Sequence, residues 1–430
     1  MTQHFDIVIA GAGAAGLSAA RAAAKQGARV AVLDDNPFPG GQVWRQGPAY
    51  PPKAALSAAL ATLHDCPNVT LWPSTRLVAA LPQRGLLLES AEYGGVSLRY
   101  ERLILATGAR ERLLPFTGWT LPGVTGAGGL QALIKGGTPV RGERIVIAGS
   151  GPLLMASLAT AREAGARVLA VIEQASAAAV ARFGVSLVAT PSKLLQAVQL
   201  TRGFAGLPGL HYWTGSMVRE ARGDGRVEEV VIRKGARDVT LACDRIACGY
   251  GLVPNVTLAQ SLGCSLDQAG AIAVDDTLCT SVDGVLAAGE CTGIGGMELA
   301  RVEGEIAGLV ASGATRQALA LRGKRARWQR FAARVESGFS LTAAVRTAPS
   351  DATLLCRCED VTFGEVRRHS TWRDAKLHTR CGMGACQGRV CGAAAQMCFG
   401  WDVAQPRPPF SPAQIGTLMT ARAEDGSCGS

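Results

Sequence analysis

The sequence has few aromatic residues and no apolar run long enough to cross a membrane. Phe, Trp and Tyr make up only 5% of the 430 residues, and no apolar stretch approaches the roughly 18 residues that a transmembrane helix needs. The first apolar run, residues 5–10, has no basic segment before it and no small-residue cleavage site after it, so it is not the pattern of a signal peptide. We therefore expect a cytoplasmic chain without a membrane span.

A concentrated basic pattern is also missing. The formal net charge is +10, but the arginines are dispersed, and no basic stripe is interleaved with aromatic residues as in nucleic-acid-binding proteins. The excess of positive charge is explained by side chains on the solvated surface. The alternative is that these side chains bind an acidic protein partner. We predict no nucleic-acid partner.

Glycine and cysteine, in contrast, are abundant. The 53 glycines and 48% hydrophobic residues suit tightly packed βαβ units with glycine turns. In a cytoplasmic chain, 13 cysteines would not form a disulfide framework. Five of them lie between Cys356 and Cys391, which indicates a metal or cluster site. The others are spread among apolar residues and are expected to be packing residues.

The order strand, glycine turn, helix, strand occurs twice, with the turns about 138 residues apart. The first copy predicts strands at 5–10 and 29–33 around a helix at 14–26. The second predicts strands at 144–148 and 167–172 around a helix at 152–163. A further strand is expected at 281–288, followed by a helix at 297–311. The pattern predicts an α/β fold with two Rossmann-like dinucleotide-binding domains.

The first glycine turn has the features of a dinucleotide-binding loop. Gly11 permits the tight turn, Gly13 lets the backbone approach a pyrophosphate, and Gly16 lets the helix pack closely on the strand. The pyrophosphate would lie at the positive N-terminus of the helix, beside Ala14 and Ala15. The alternative is a merely structural turn.

A carboxylate follows the second strand of this unit. Asp34 lies where an acid can accept hydrogen bonds from ribose hydroxyls. Asp35 is the second candidate for this contact. Strand, helix and acid therefore come in the order that nucleotide binding requires.

Three later segments make the first half resemble the flavoprotein family with two dinucleotide-binding domains, which includes thioredoxin reductase-like enzymes. They are the run Gly-Gly-Gln-Val-Trp-Arg at 40–45, a strand that ends in a small-residue turn at 103–109, and a strand that ends in Gly-Glu at 285–290. The resemblance implies bound FAD, with the Gly-acid pair at the ribityl chain; Glu290 stands where most members have Asp. The implied contacts beyond the first loop are at Gly41, Gln42, Arg45, Ala106, Thr107, Gly108, Gly289, Glu290 and Gly296.

The second glycine turn is degraded. It reads Gly149-Ser-Gly151-Pro-Leu-Leu154, with a leucine at the third glycine position, although Glu173 still ends the next strand. The domain could bind NAD, bind another adenine nucleotide or serve as a scaffold. Because the Leu154 side chain would crowd the helix or the pyrophosphate, we expect NADH to be a poor reductant. The CxxC pair of the thioredoxin reductase-like enzymes is also missing, and Cys243 and Cys248 are expected to be packing residues.

The C-terminal cysteines occur in two short motifs. Cys356-Arg-Cys358 comes first, and Cys386-Gln-Gly-Arg-Val-Cys391 follows, with Cys381 just upstream. Four thiolates from two tight loops can ligate a [2Fe–2S] cluster, and the glycines at 382, 384 and 388 would let amides approach the sulfurs. A four-cysteine zinc site is the first alternative and buried free thiols are the second.

This segment resembles the bacterioferritin-associated-ferredoxin-like [2Fe–2S] domain in its flavoprotein-fused form, CxC followed by GMGxCQGxxC. The resemblance selects Cys356, Cys358, Cys386 and Cys391 as ligands. It places Cys381 beside the cluster without making it a ligand.

The whole chain resembles the α-type subunit shared by opine oxidases, hydrogen cyanide synthase and D-hydroxyproline dehydrogenase, and suits the D-hydroxyproline branch best. The resemblance implies a D-amino-acid-oxidase-type flavoprotein β subunit that oxidises the amine, and a small ferredoxin-like subunit. This chain would then relay electrons. Whether FMN lies at a subunit interface stays open.

The domains implied are an FAD-binding domain at 1–112 and 270–312, a second NAD(P)-binding-like domain at 113–269, a helical connector at 313–350, the [2Fe–2S] domain at 351–405 and an irregular tail at 406–430. The five histidines are scattered without evident partner carboxylates, so the sequence offers no general base for amine oxidation. A stand-alone NAD(P)H-dependent reductase and a non-catalytic iron–sulfur scaffold are the competing functions.

Overall fold

The computed structural model describes residues 3–48, 50–202, 210–402 and 407–425. The chain forms two compact units. Among the described residues, unit 1 takes in those of Met1–Arg110, Pro254–Ala332 and Gln405–Ser430, and unit 2 those of Glu111–Val253 and Ala333–Ala404.

The helices and strands of the described chain are, in order, β1 (Gln3–Ala10), α1 (Ala14–Ala24), β2 (Val30–Leu33), α2 (Ala54–His64), β3 (Val69–Trp72), β4 (Thr75–Leu81), β5 (Gly85–Ser90), β6 (Gly94–Leu105), β7 (Ala109–Glu111), β8 (Val124–Gly126), α3 (Ala127–Lys135), β9 (Arg144–Gly149), α4 (Leu153–Glu163), β10 (Arg167–Glu173), α5 (Ala177–Ser186), a 3₁₀ turn (Leu187–Ala189), α6 (Pro191–Arg202), β11 (His211–Trp213), β12 (Ser216–Arg222), β13 (Glu229–Lys234), β14 (Arg237–Ala242), β15 (Arg245–Gly249), β16 (Leu252–Pro254), α7 (Thr257–Ser261), β17 (Val285–Ala287), α8 (Gly296–Ala311), α9 (Thr315–Leu319), α10 (Arg322–Gly338), α11 (Ala343–Arg346), β18 (Leu354–Cys356), β19 (Val361–Thr362), α12 (Phe363–Arg367), α13 (Trp372–Thr379), α14 (Cys391–Phe399) and α15 (Ile415–Asp425).

Unit 1 is built on a mostly parallel sheet. Its parallel strands run in the order β3-β2-β1-β6-β17, and β5 and β4 extend the sheet as an antiparallel hairpin from β6. The central strands are buried apolar runs, as a sheet covered on both faces requires. Because β1, β2, β6 and β17 are parallel, the loops that follow them meet at one edge of the sheet.

Helices α1 and α8 pack closely because small residues face each other. A Cβ atom added to Gly304 would lie 2.0 Å from the carbonyl oxygen of Ala15, and one added to Gly308 would lie 2.3 Å from that of Ala19. Only glycine permits this approach of the two backbones. The contact holds α1 against the sheet and so fixes the loop at its N-terminus.

Unit 2 repeats the parallel arrangement. Its main sheet has the order β11-β10-β9-β15-β8, and β12, β13 and β14 form a separate antiparallel sheet. The two-stranded sheet β18-β19 and helices α12, α13 and α14 form the cysteine segment, which has its own buried core around Phe363 and Trp372. The α/β architecture with two Rossmann-like sheets agrees with the sequence-based fold class.

Two elements differ from expectation. The strand expected at 281–288 is only Val285–Ala287, because Asp283 and Gly284, with a φ of +78°, turn the chain before it. The tail expected to be irregular contains α15. The carboxylate of Glu89 accepts hydrogen bonds from Gln414 N (2.7 Å) and Thr417 Oγ1 (2.8 Å) at the start of this helix. These partners lie about 325 residues apart in sequence, so local patterns could not reveal the contact.

The contact between α1 and α8 gives a stability prediction. Gly304→Ala should lower the midpoint of thermal unfolding of unit 1, because the new methyl group overlaps the Ala15 carbonyl; overpacking of this kind costs about 1–3 kcal/mol. Scanning calorimetry measures the effect. Gly323→Ala on α10 is the matched control, since nothing lies within 4 Å of a Cβ there. Equal midpoints for the two variants would contradict this packing.

Candidate functional site

The three glycines of the loop between β1 and α1 differ in the space that a side chain would find there. Gly11 has a φ of +115°, and a Cβ there would lie 2.3 Å from the Ala106 carbonyl oxygen. At Gly16 a Cβ would lie 1.8 Å from the Gly11 carbonyl oxygen. At Gly13 the nearest atom would be 3.9 Å away, the Cα of Gly41. Gly11 and Gly16 are therefore required by the fold, whereas a Cβ at Gly13 would make only an ordinary van der Waals contact at the helix N-terminus, where a pyrophosphate would bind.

Asp34 lies beside this loop. Its side chain is buried, and Oδ2 accepts a hydrogen bond from Ala12 N at 2.9 Å. Oδ1 accepts from Asn36 N and Nδ2 at 2.9 and 2.8 Å. Asp35 is exposed. Asp34 is therefore the acid that the fold places at the glycine loop, with its carboxylate oriented by the backbone.

The other segments expected to hold FAD lie on the same unit. A Cβ on Gly41 would lie 3.0 Å from the Cα of Gly13, so the run at 40–45 touches the first loop. Arg45 donates to the amide oxygen of Gln42 at 2.9 Å. After β6, Ala106 N donates to Ala10 O at 2.9 Å, which joins the ends of two parallel strands.

The turn at Thr107 and Gly108 is closed by hydrogen bonds within unit 1. Thr107 Oγ1 donates to Asn255 O at 2.6 Å, and Asn255 Nδ2 donates to Thr107 O at 3.0 Å. Gly108 has a φ of +66°. The turn is thus fixed by an asparagine that the sequence patterns did not reveal.

Glu303 supports the Gly-Glu turn after β17 and was not found from sequence. Its carboxylate is almost fully buried and accepts from Gly289 N and Thr292 Oγ1, both at 3.1 Å. Arg325 Nε donates to its other oxygen at 3.0 Å, which compensates the buried charge. The available signal was a glutamate on the apolar face of α8, one turn from Leu299.

Glu290 itself is half-buried beside this turn. Burial raises the pKa of its carboxyl group, and a hydrogen bond from Gly296 N opposes the rise. Gly296 begins α8 with a φ of +80°. The N-terminus of α8 therefore lies next to the Glu290 carboxyl group.

The glycine turn of unit 2 accommodates its leucine. A Cβ on Gly149 would lie 1.9 Å from the Gly249 carbonyl oxygen, so the turn is as tight as the first one. Leu154 is fully buried, and its Cδ2 lies against Gly249. Leu154 therefore packs between α4 and β15. Glu173 is buried and accepts from Gly151 N and Ala175 N, each at 2.8 Å. Burial raises the pKa of Glu173, and these two bonds oppose the rise.

Five cysteines converge in the C-terminal segment. The Sγ atoms of Cys356, Cys381 and Cys391 are buried and lie within 4.8 Å of one another. Cys358 Sγ lies 3.9 Å from Cys386 Sγ. The group of mutually close thiols thus contains two of the four predicted ligands together with Cys381, which is fully buried, and the other two predicted ligands form a close pair. This donor set fits a thiolate-ligated metal or cluster.

Glycines allow the two cysteine loops to meet. A Cβ on Gly384 would lie 2.3 Å from Cys358 Cβ, and one on Gly382 would lie 2.6 Å from the Trp372 ring. Gly382 N donates to Cys356 Sγ at 3.5 Å, the kind of amide–sulfur bond expected from the sequence. Burial pushes the pKa of Cys386 up, but backbone N–H groups of Val390 and Gly388 outweigh it and leave the pKa lowered.

Three of the five histidines have carboxylate partners that the sequence did not reveal. His4 Nε2 lies 2.9 Å from Glu101 Oε1, and His369 Nδ1 lies 2.9 Å from Asp374 Oδ2. His378 Nε2 lies 3.3 Å from the other oxygen of Asp374, Oδ1. The expectation that no histidine has such a partner was therefore wrong. His4 lies at the start of β1, about 20 Å along the strand from the glycine loop. It is too far away to act at that loop.

Comparison with known proteins identifies the family. The sequence profile of the pyridine nucleotide-disulphide oxidoreductases matches residues 5–307. The chain belongs to this family. It is an FAD-dependent oxidoreductase, as the resemblance of its first half to the two-dinucleotide-domain flavoproteins had implied.

Individual members of the family show which proteins this chain resembles over most of its length. An opine oxidase subunit from Rhizobium meliloti is 35% identical, with 90% of each chain covered. Hydrogen cyanide synthase subunit HcnB of Pseudomonas aeruginosa is 33% identical over 97% of this chain and 99% of the relative. The family suspected from sequence is thereby confirmed.

Solved structures agree on the fold. L-proline dehydrogenase from P. horikoshii superposes with a TM-score of 0.68 at 16% identity, covering 97% of this chain and 80% of that one. Thioredoxin reductase from T. acidophilum gives 0.53 at 24% identity, covering 75% of this chain and 99% of that one. Among the described residues, no helix is both long and apolar enough to span a membrane.

The glycine loop gives a prediction that separates cofactor binding from folding. Gly13→Val should abolish FAD retention while leaving the unfolding midpoint of apoprotein nearly unchanged, because a Cβ there overlaps no protein atom and the side chain would enter the place where the pyrophosphate would lie. Gly16→Ala, the comparison variant, should lower the midpoint because its methyl group meets the Gly11 carbonyl. Flavin absorbance after desalting measures retention. Full flavin content in Gly13→Val would show that the cofactor lies elsewhere.

A second prediction concerns the cysteines. Anaerobically purified chain should carry about two iron and two sulfide ions. Serine at Cys358 or Cys386 should abolish or distort the visible absorption and electron paramagnetic resonance signals, and Cys381→Ser should largely keep them. Cys398→Ser is the matched control, since its thiol contacts only the Arg346 carbonyl oxygen among the hydrogen-bond partners described. Stoichiometric zinc without iron would favour the structural zinc site.

Proposed function

We propose that the chain is the FAD- and [2Fe–2S]-containing electron-transfer subunit of a heteromeric amine or amino-acid dehydrogenase. It passes electrons from a partner flavoprotein subunit to an acceptor. The substrate class is a D-hydroxyproline, opine or glycine-type amine. The observation that carries the proposal is the convergence of five cysteines in a chain that aligns over 90% of its length with the opine oxidase relative.

The residues of unit 1 support FAD as one cofactor. The loop at Gly11–Gly16 offers an open helix N-terminus, Asp34 supplies an oriented carboxylate, and the turn at Gly289 is held by Glu303. The ligands proposed for the cluster are Cys356, Cys358, Cys386 and Cys391. FAD exchanges one or two electrons and an iron–sulfur cluster exchanges one at a time, so a chain that binds both can join a two-electron oxidation to a one-electron acceptor.

The names of the relatives support a partner. The opine oxidase and hydrogen cyanide synthase relatives are both named as subunits, and the sarcosine oxidase relative is named as the alpha subunit. We propose a D-amino-acid-oxidase-type flavoprotein for the β subunit here, and a small ferredoxin-like subunit is the further partner. The His4–Glu101 pair lies about 20 Å along β1 from the first glycine loop, which supports placing amine oxidation on another subunit.

The test compares the chain alone with the chain co-purified with its partner. The isolated, FAD-loaded chain should not turn over D-hydroxyproline, proline, glycine, sarcosine or opines with an artificial acceptor, because the substrate site is on the partner. The assembled complex should oxidise one of these substrates. In a complex containing Cys358→Ser, substrate should still bleach the partner flavin, but acceptor reduction should fall.

Substantial turnover by the isolated chain would place the substrate site here and contradict the relay function. Rapid flavin reduction of the isolated chain by NADH would instead favour the stand-alone reductase.

A further inference from the structure

The glycine turn of unit 2 is in contact with a segment of its own chain. The segment comprises residues 339–342, between α10 and α11. It lies within unit 2, as does the turn at Ser150 and Gly151. In a Rossmann-type domain this turn and the end of the next strand are where a dinucleotide binds.

Three hydrogen bonds hold the segment. Ser150 Oγ donates to Phe339 O at 2.8 Å, and Gln174 Nε2 donates to Ser340 O at 3.0 Å. Thr342 N donates to Gln174 Oε1 at 3.0 Å. Gln174 is 4% exposed and also donates to Ser150 Oγ at 2.9 Å. The buried amide of Gln174 is thus paired through both its N–H groups and its oxygen, and two of these three bonds go to the segment.

The aromatic ring of the segment covers the turn. A Cβ built on Gly151 would lie 3.6 Å from both Cβ and Cγ of Phe339, which is ordinary van der Waals contact. The Phe339 ring packs edge-on against Phe183, with their centroids 5.0 Å apart. Gly338 lies against the same Phe183 side chain. The Phe339 side chain of the segment therefore lies over the glycine turn, and the segment's backbone groups form hydrogen bonds with Ser150 and Gln174.

The two nucleotide-type loops of the chain differ in this respect. In both, the acid at the end of the second strand accepts from the backbone of the glycine turn: Asp34 from Ala12, and Glu173 from Gly151. Within 4 Å of a Cβ added to Gly13, the only atom is the Cα of residue 41. For a Cβ added to Gly151, the three nearest atoms all belong to the side chain of Phe339. The Leu154 side chain lies against Gly249 of β15, whereas the side chain of Phe339 lies against the turn at Gly151.

We propose that residues 339–342 are an internal peptide ligand of the second nucleotide-type loop, so that this segment and a dinucleotide compete for the same turn. The docked segment also fixes the point from which the cysteine segment begins on unit 2. This inference does not depend on the electron-transfer role proposed above.

Amide hydrogen exchange on the full-length, FAD-loaded chain tests the docking. In the wild type, the Thr342 N–H should be protected, because Gln174 accepts from it. Gln174→Ala should raise exchange across 339–342 at least about tenfold, while residues 144–149 of β9 keep their protection and show that unit 2 is folded. Thr347→Ala is the matched control, because Thr347 follows α11 and its hydroxyl donates to the carbonyl oxygen of Ala343, the first residue of that helix, and not to the segment. Equal exchange in wild type and Gln174→Ala would overturn the docking.

Ligand titration tests the competition. ADP-ribose is the probe, because it contains the adenosine and pyrophosphate of a dinucleotide, and FAD already fills the first loop. The double variant Gln174→Ala/Phe339→Ala should bind ADP-ribose at least about tenfold more tightly than the wild type, since apparent affinity falls with the fraction of open sites. If the double variant loses protection at β9, the titration is done with the single variant Gln174→Ala instead.

Two results would overturn the competition. One is saturable binding of ADP-ribose to the wild type with no change in exchange at 339–342. The other is equal affinity in the wild type and the undocked variant.

Discussion

The close approach of α1 and α8 is the constraint on which the cofactor site of unit 1 depends. Gly304 and Gly308 let α8 contact the backbone of α1 at Ala15 and Ala19. The same helix presents Glu303 to the amide of the Gly-Glu turn. One helix therefore fixes both the glycine loop and that turn. The arginine partner of this carboxylate, residue 325, is essential to the arrangement, because a buried carboxylate without a compensating charge would destabilise the fold by several kcal/mol.

Local sequence patterns predicted the parts of the site that are local in origin. The turn at Gly11–Gly16, the acid Asp34 and the two cysteine motifs each depend on residues within one loop or one βαβ unit, and the strands around them were found within a few residues. The distinction that a Cβ would clash at Gly11 and Gly16 but not at Gly13 required the positions of Ala106 and Gly41, which contact the loop only in the folded chain.

Several of the contacts that sequence missed depend on distant partners, although the pairs of Asp374 with His369 and His378 are local. Asn255 closes the turn at Thr107 from 148 positions away. Ser150 and Phe339 are separated by 189 positions, and α15 is held by a glutamate on β5. No periodicity or motif encodes such pairs, because each residue alone is an ordinary loop or helix residue. Leu154, at the third glycine position of the second turn, is buried against β15, a contact that the motif alone did not specify.

The cysteine segment has a small core of its own, so its attachment to unit 2 matters for its stability. Trp119 Nε1 donates to Leu354 O at 2.7 Å, and the Arg357 guanidinium lies 5.2 Å from the centre of the Trp119 ring. These contacts hold the strand that carries Cys356 and the loop that carries Cys358. Without metal, burial keeps the pKa of both thiols raised. Ligation of a metal would deprotonate them and add binding free energy to folding. The protein contacts and a bound metal therefore stabilise the same loop geometry.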